Sequence, residues 1–262
     1  LQGLQETMRA VAILMEYARI RRSLREEEPM EERRPGMTAQ FTSGDSLSES
    51  EGKALLKAYD IPVARDILVH SAGEAVGAAD AIGYPVVMKV DSPDIQHKTE
   101  AKAVKLGVSG PEEVRAAYDE LLANARAYNA EARVSGVSIQ EMVAGGTEII
   151  LGMKNDASFG PSVMVGLGGI FVEIFKDISL RLAPIDLKTA HEMIGELKGR
   201  KILDGARGRA KADVDALADA IVKFSGLAMD HAGVIGEMDI NPMIVLEEGK
   251  GVRAVDALVM KK

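Results

Sequence analysis

The spacing of apolar and polar residues divides the chain into three parts. Apolar residues recur at helical spacing in residues 4–22, which predicts an amphipathic helix. Residues 23–46 carry a run of glutamates with Pro and Gly and no apolar period, so we expect a flexible linker. From residue 47 to residue 262, helical and strand periods follow one another, which predicts a folded α+β unit.

The first part of this unit alternates helices with short strands. Serine-to-glutamate capping-box spacings predict helix starts at Ser48, Ser71 and Ser109. Short apolar runs next to turn-forming residues predict strands over 67–70, 85–90 and 103–108. We therefore expect a first lobe over about residues 60–140.

The pattern changes to strands from residue 137 onwards, and glycine pairs separate them. Strands are predicted over 137–143, 148–154, 162–167, 170–175, 178–182, 234–246 and 252–260, and helices over 187–197 and 211–229. This part predicts a second lobe over about residues 141–262.

Lys89 interrupts the apolar run of residues 85–90. Lysine is rarely buried without a partner, so two interpretations compete. Its ammonium either reaches water at the strand end, or lies over a bound polyanion. The polar loop that follows, with His97 and Lys98, favours the polyanion.

His97 is the candidate catalytic residue in that loop. A neutral imidazole nitrogen is a nucleophile that can accept a phosphoryl group. A single histidine in a polar loop is, however, more often without a chemical role, and the sequence contains 4 histidines. Its position, eight residues after Lys89, favours the catalytic interpretation.

The C-terminal hairpin carries the candidate metal ligands. Alternation places Asp239 and Asn241 on one face of a strand, and a turn centred between Glu248 and Gly249 pairs Asn241 with Asp256. Carboxylate and amide oxygens are hard ligands that suit Mg²⁺. A strand with a solvated polar face is the alternative.

A second polar pair flanks the Gly145-Gly146 turn. Backbone groups of Glu141, Met142 and Val143, at a strand end, are suited to an adenine edge, and the carboxylate of Glu148 to ribose hydroxyls. The same pattern is also that of a simple hairpin.

Composition limits the function classes. The 262 residues carry a net charge of −8, which argues against a general nucleic-acid binder. There is no cysteine, which excludes disulfides and thiolate chemistry. No signal peptide and no apolar run of membrane-spanning length is present, so we expect a cytoplasmic protein without a membrane partner.

Taken together, these residues resemble the ATP-grasp domain of the NDP-forming acyl-CoA synthetases, relatives of the succinyl-CoA synthetase β subunit. The matching segments are LLKAYDIPV, AIGYPVVMKV, SPDIQHKTE, GLGGIFVEIFKDISLRLAP, GEMDINPMIV and AVDALV. The resemblance implies two α+β lobes with ATP or ADP and Mg²⁺ between them. It also implies a CoA-ligase domain in the same or a partner chain, and an oligomeric full enzyme. Residues 1–22 then resemble the end of that domain, although a helix that docks onto the following lobe remains an alternative.

The resemblance also implies a role for each candidate residue. Lys89 holds phosphates, residues 141–143 the adenine, Glu148 the ribose, Asp239, Asn241 and Asp256 the metal, and His97 relays a phosphoryl group. The chain departs from the family at residues 101–103, where Lys102 and Ala103 stand in place of two glycines. This departure leaves a second hypothesis open, a nucleotide-sensing or scaffold module with weakened catalysis.

Overall fold

The computed structural model describes residues 45–169, 176–205 and 210–262, together with Met15. The α-helices of these ranges are α1 (Glu49–Ala58), α2 (Ala72–Ile82), α3 (Pro111–Tyr128), α4 (Leu187–Glu196) and α5 (Val214–Asp230). The strands are β1 (Asp66–Val69), β2 (Val86–Asp91), β3 (Val104–Val108), β4 (Gly136–Glu141), β5 (Thr147–Asp156), β6 (Gly160–Leu167), β7 (Ile178–Leu182), β8 (Ile235–Val245), β9 (Val252–Ala254) and β10 (Ala257–Lys261). Helices together with antiparallel sheets confirm the predicted α+β class.

The first lobe is an antiparallel sheet covered by two helices. Its described strands lie in the order β1-β4-β2-β3. Helices α2 and α3 pack against it, and their alanine-rich faces build one hydrophobic core with the buried residues of the strands. Strand β2 is buried along its whole length, so a charged side chain on it needs a partner.

The second lobe has its own sheet and its own core. Its described strands lie in the order β10-β8-β5-β6-β7, and β9 pairs with β8. Helices α4 and α5 cover one face, with Phe224 among the largest buried side chains. The other face carries Glu148, Gly152 and Asp239, because alternate residues of β5 and β8 point away from that core. No described helix has the length and apolarity to span a bilayer.

Helix α1 belongs to the second core, although it precedes the first lobe in the chain. Leu55 and Leu56 are buried in that core. The polar start of the helix instead reaches the first lobe, where Asp91 accepts hydrogen bonds from the Ser50 backbone N–H (3.0 Å) and hydroxyl (2.8 Å). Helix α1 therefore ties the two lobes together.

The structure confirms most of the predicted strands within one or two residues, and it corrects two details. The helix predicted at Ser109 begins after Gly110, with Pro111 at its first position and no side-chain cap. The strand predicted over 252–260 is divided into β9 and β10 at Val255 and Asp256.

Several predictions fall outside the described residues. These are the strand over 170–175, the linker over 23–44, and the helix over 4–22 apart from Met15. The last two residues of the predicted linker, Asp45 and Ser46, pair with β10.

Candidate active site

Two adjoining cavities of about 230 and 240 Å³ lie between the lobes. Residues of both cavities come from the loop after β2 and from the β8–β10 hairpin. The shared lining residues are Gln96, His97, Lys98 and Asp256; the first cavity adds Glu49, Asp239 and Asn241, and the second adds Lys89. The structure thus brings together the predicted catalytic residue, the predicted phosphate-binding lysine and the predicted metal ligands.

Lys89 is buried and forms ion pairs with two carboxylates. Its Nζ lies 2.9 Å from Glu49 Oε1 and 3.2 Å from Asp256 Oδ2, and it also donates to the Val255 carbonyl at 3.3 Å. Burial by itself lowers the pKa of Lys89, but Glu49 and Asp256 raise it above the ordinary lysine value. Lys89 is therefore charged, and it does not reach water as the first interpretation required.

Glu49 is a residue of this site that the sequence did not reveal. It begins α1, where an acidic residue usually needs no explanation beyond the helix dipole. In the structure it is buried among Lys53 (2.8 Å), Lys89 (2.9 Å) and Lys98 (3.1 Å). Burial raises the pKa of Glu49, but these three lysines lower it well below the ordinary range.

The hairpin has the predicted register. Ile240 pairs with Ala257 and Met243 pairs with Ala254, which sets Asn241 opposite Asp256 between them. Asn241 is exposed, so its amide oxygen is accessible from the cavity.

Asp239 lies on the same face of β8, next to Gly152 of β5. Burial, together with the neighbouring Glu237, raises the pKa of Asp239 to about 6. A β-carbon at position 152 would lie 2.8 Å from Asp239 Oδ1, so glycine leaves the space that this carboxylate occupies. A bound cation would stabilise the charged form of Asp239 in this environment.

The loop that carries His97 is closed by its own backbone. The N–H groups of residues 101, 102 and 103 donate to the carbonyls of His97, Thr99 and Lys98. They are therefore not directed at a ligand.

The departure at residues 101–103 has a local structural role. The methyl groups of Ala101 and Ala103 are buried in the first core. Lys102 is exposed, has a φ of 50°, and does not line either cavity. The second cation of the site is thus Lys98 rather than Lys102.

The predicted nucleoside residues lie outside both cavities. Glu141 pairs with Val86 on the strand that also carries Lys89, three residues or about 10 Å away. Its carboxylate accepts from the Arg65 backbone N–H at 2.9 Å, while Met142 is exposed. Glu148 is exposed on the free face of β5, four residues or about 13 Å from Gly152. These positions fit an elongated ligand with its anionic end near Lys89.

The geometry therefore combines a cationic side with an oxygen-rich side. Lys89 and Lys98 supply positive charge, and Asp239, Asn241 and Asp256 supply oxygen ligands. An exposed imidazole, His97, lies where the two sides meet. This arrangement suits a polyphosphate with a divalent cation and a nitrogen nucleophile beside it.

Comparison with known proteins identifies the class of protein to which the chain belongs. The family profile described as the ATP-grasp domain matches residues 38–260, and the fold is that of an ATP-grasp domain. More particularly, the chain belongs to the family of the ADP-forming acetate–CoA ligases. Subunit beta of acetate–CoA ligase (ADP-forming) II from Pyrococcus furiosus is 45% identical over 217 residues, 83% of this chain and 92% of that relative.

Longer relatives are similar to this chain over one part of their length. Acetate–CoA ligase (ADP-forming) I from Archaeoglobus fulgidus is 42% identical over 251 residues, 94% of this chain and 36% of that relative. The chain thus spans about a third of the length of such relatives.

Solved structures agree with this placement. The dinucleotide-forming acetyl-coenzyme A synthetase 1 of Ca. Korarchaeum cryptofilum, in complex with coenzyme A, Ca-AMPCP and HgCl+, is 40% identical with a TM-score of 0.79, covering 83% of this chain and 94% of that one. The same protein with coenzyme A and Mg-AMPPCP has its phosphohistidine segment pointing towards the nucleotide-binding site, and is 38% identical with a TM-score of 0.71, covering 83% and 93%.

Proposed function

We propose that this chain binds ATP with Mg²⁺ in the cavities between its lobes and passes the terminal phosphoryl group to a histidine, as the ATP-grasp part of an ADP-forming acid–CoA ligase. The observation that carries the proposal is the convergence of Lys89, Lys98, His97 and Asp256 on adjoining cavities. To catalyse phosphoryl transfer, a protein chiefly has to position the phosphates and neutralise their charge. These residues supply both.

Lys89 binds the phosphates in this proposal. Its ammonium is held by Glu49 from behind and by Asp256 from the cavity side. A phosphate oxygen takes the place of Asp256 at Lys89, so the anionic ligand releases that carboxylate. A charge-assisted hydrogen bond to phosphate is about as strong as the one it replaces.

Mg²⁺ would be held by Asp256, Asn241 and Asp239. The residues fit the ion, because all three offer oxygen atoms and Asp239 is a half-buried carboxylate without a cationic partner at hydrogen-bond distance among the described residues. When bound, the ion supplies neutralisation of charge on the phosphate oxygens.

His97 acts as the phosphoryl acceptor or relay. The bond from the γ-phosphorus to the β–γ bridging oxygen breaks, a bond from phosphorus to an imidazole nitrogen forms, and ADP leaves. The phosphohistidine segment that points to the nucleotide site in the solved relative supports histidine as the carrier.

Glu141, Met142 and Val143 would contact the adenine, and Glu148 the ribose. Their separations from Lys89 and Gly152 match a nucleotide laid along the free face of the second sheet. Arg65 occupies the Glu141 carboxylate and also accepts from the Glu141 backbone N–H at 2.9 Å, which leaves the backbone groups of Met142 and Val143 for the base.

The CoA-binding and acid-activating parts would belong to a CoA-ligase domain in the same or a partner chain. The complete reaction is the reversible conversion of an acid, CoA and ATP to acyl-CoA, ADP and phosphate. The relatives support it, because they are named ADP-forming ligases and this chain spans only about a third of the single-chain ones. The same names favour an enzyme over the nucleotide-sensing or scaffold alternative.

The test separates binding from transfer. Lys89→Ala should weaken AMPPCP binding at least tenfold, since a buried charged contact to phosphate is lost. His97→Ala should leave AMPPCP affinity within twofold of wild type and abolish acid-labile labelling from γ-labelled ATP. Calorimetry and phosphoryl transfer, the latter also with a CoA-ligase partner added, measure the two effects.

Matched controls are available in the same lobe. His70→Ala removes another exposed histidine, and Lys105→Ala removes an exposed lysine paired with Glu120 at 2.5 Å. Both should bind and transfer as wild type does. Wild-type protein that does not bind AMPPCP with Mg²⁺, or His97→Ala protein that is labelled at the wild-type rate, would refute the proposal.

A further inference from the structure

Glu49 gathers lysines from three different elements around one buried carboxylate. Lys53 comes from its own helix, Lys89 from β2 of the first lobe, and Lys98 from the loop that carries His97. The Glu49 side chain is only 3% exposed. Lys53 does not line either cavity, whereas Lys89 and Lys98 do.

The two oxygens of Glu49 are used differently. Oε1 accepts a hydrogen bond from Lys89 at 2.9 Å and lies 2.8 Å from Lys53. Oε2 lies 3.1 Å from Lys98, but this ion pair lacks hydrogen-bond geometry. The Lys98 ammonium is therefore attracted to Glu49 while its N–H groups stay available to a ligand in the cavity, and the Lys98 side chain is 12% exposed.

Asp256 is the other carboxylate on Lys89, and it differs from Glu49 in two respects. Its side chain is 34% exposed, and it lies opposite Asn241 in the candidate metal site. Asp256 can thus exchange Lys89 for a cation, whereas Glu49, which lines the first cavity but is almost fully buried, stays in contact with both lysines. Glu49 is the contact that remains when a ligand enters.

We propose that Glu49 is a positioning residue that holds Lys89 and Lys98 side by side as a preformed pair of cations for the phosphate chain. Glu49 does not touch the nucleotide; it acts through the two lysines. This inference rests on the proposed nucleotide site, and it deepens that proposal by naming the residue that makes the site selective for polyphosphates over monophosphates.

The alternative is that Glu49 only balances buried charge. Glu49→Gln keeps the shape of the side chain but removes its charge, and the three lysines then repel one another. Because that repulsion also affects folding, Glu49→Gln is paired with a double variant, Glu49→Gln with Lys53→Met. The double variant removes one buried cation that does not face the cavities, and so restores the local charge balance.

The experiment compares AMPPCP and AMP binding by calorimetry, with Mg²⁺ present, in the full chain. In both variants, AMPPCP affinity should fall at least tenfold, because phosphate contacts of two mispositioned lysines are weakened, while AMP affinity changes less than twofold. Glu51→Gln is the matched control: it makes the same change of charge on the same turn, where glutamine also suits the capping position. It should bind both nucleotides as wild type does.

Each outcome decides whether Glu49 positions the two lysines. A preferential loss of AMPPCP binding in both variants supports the positioning role. Equal loss of AMP and AMPPCP, recovery of AMPPCP affinity in the double variant, or wild-type AMPPCP affinity in Glu49→Gln would overturn it. Wild-type protein without AMPPCP binding would instead refute the nucleotide site itself, so the two failures are distinguishable.

Discussion

Lys53 allows the strength of the contacts between the lobes to be measured. It lies on α1, which packs in the second core, and its Nζ donates to Gln140 Oε1 of the first lobe at 2.6 Å. The same ammonium lies 2.8 Å from Glu49 and 3.7 Å from Asp66. Lys53 is 1% exposed, so water cannot replace these contacts.

The expected cost of Lys53→Met follows from what it leaves behind. The Gln140 oxygen loses its donor, which costs about 1–3 kcal/mol for a buried acceptor. Removing one partner of a buried ion pair costs about 3–5 kcal/mol, but Glu49 keeps two other lysines, so that contribution falls well below this range. We expect a loss of about 2–4 kcal/mol in the free energy of unfolding.

Urea denaturation of the full chain measures this loss, and Lys57→Met provides the control. Lys57 lies one turn later on α1, is 54% exposed and pairs with Asp66 at 3.3 Å, so its replacement should cost about 0.2–1 kcal/mol. In the double variant Lys53→Met with Gln140→Met, part of the loss should be recovered, because no Gln140 oxygen is then left without its donor. Equal stability of the two single lysine variants would refute the buried network between the lobes.

Three other predictions concern single positions around the site. Lys102→Gly should raise the free energy of unfolding by about 0.5–1 kcal/mol in urea denaturation, because glycine adopts a positive φ without strain. Gly152→Ala should weaken Mg²⁺-dependent AMPPCP binding severalfold in calorimetry, since its methyl group displaces the Asp239 carboxylate. Asp94→Asn should destabilise the chain by about 1 kcal/mol at pH 7, because it weakens the bidentate contact with Arg133. Hydrogen bonds from Arg133 lower the pKa of Asp94 to about 2, so this difference should be full above pH 4 and vanish as pH falls through 2.

Each of these three predictions has a result that would contradict it. A destabilised Lys102→Gly variant would show that the lysine side chain is needed at this turn. Unchanged AMPPCP affinity in Gly152→Ala would separate Asp239 from the metal site. A stability difference at Asp94 that persists unchanged below pH 2 would exclude its ion pair as the cause. Urea denaturation over a pH series provides that last measurement.

Much of the fold could be predicted from sequence because its signals are local. Alternation and turn residues located the strands, and one turn position was sufficient to set the register around Asn241 and Asp256, since each pair along a hairpin follows from the last. The helix start at Ser109 was wrong, because the Gly110-Pro111 pair begins that helix without a side-chain cap.

The site could be predicted only in part, since several of its contacts join distant segments. Lys89 was found because a lysine in an apolar run is unusual, but its partner Glu49 lies 40 residues earlier. An acidic residue in a first helical turn gives no sign that three lysines surround it. The roles of the nucleotide and metal residues, the oligomeric state and the cellular location stay predictions.

The first described residues of the two lobes lie beside the last strand, β10. The Lys261 N–H donates to the Asp45 carbonyl at 2.7 Å, and the Leu47 N–H donates to the Val259 carbonyl at 3.0 Å. A unit whose first and last residues are neighbours can be inserted into another polypeptide, or appended to one, without stretching its host. The same closure should permit circular permutation: a short linker would join residue 262 to residue 45, and new termini would fit an exposed turn such as 249–251. The arrangement offers a physical reason why relatives of this chain occur both as separate subunits and as segments of longer proteins.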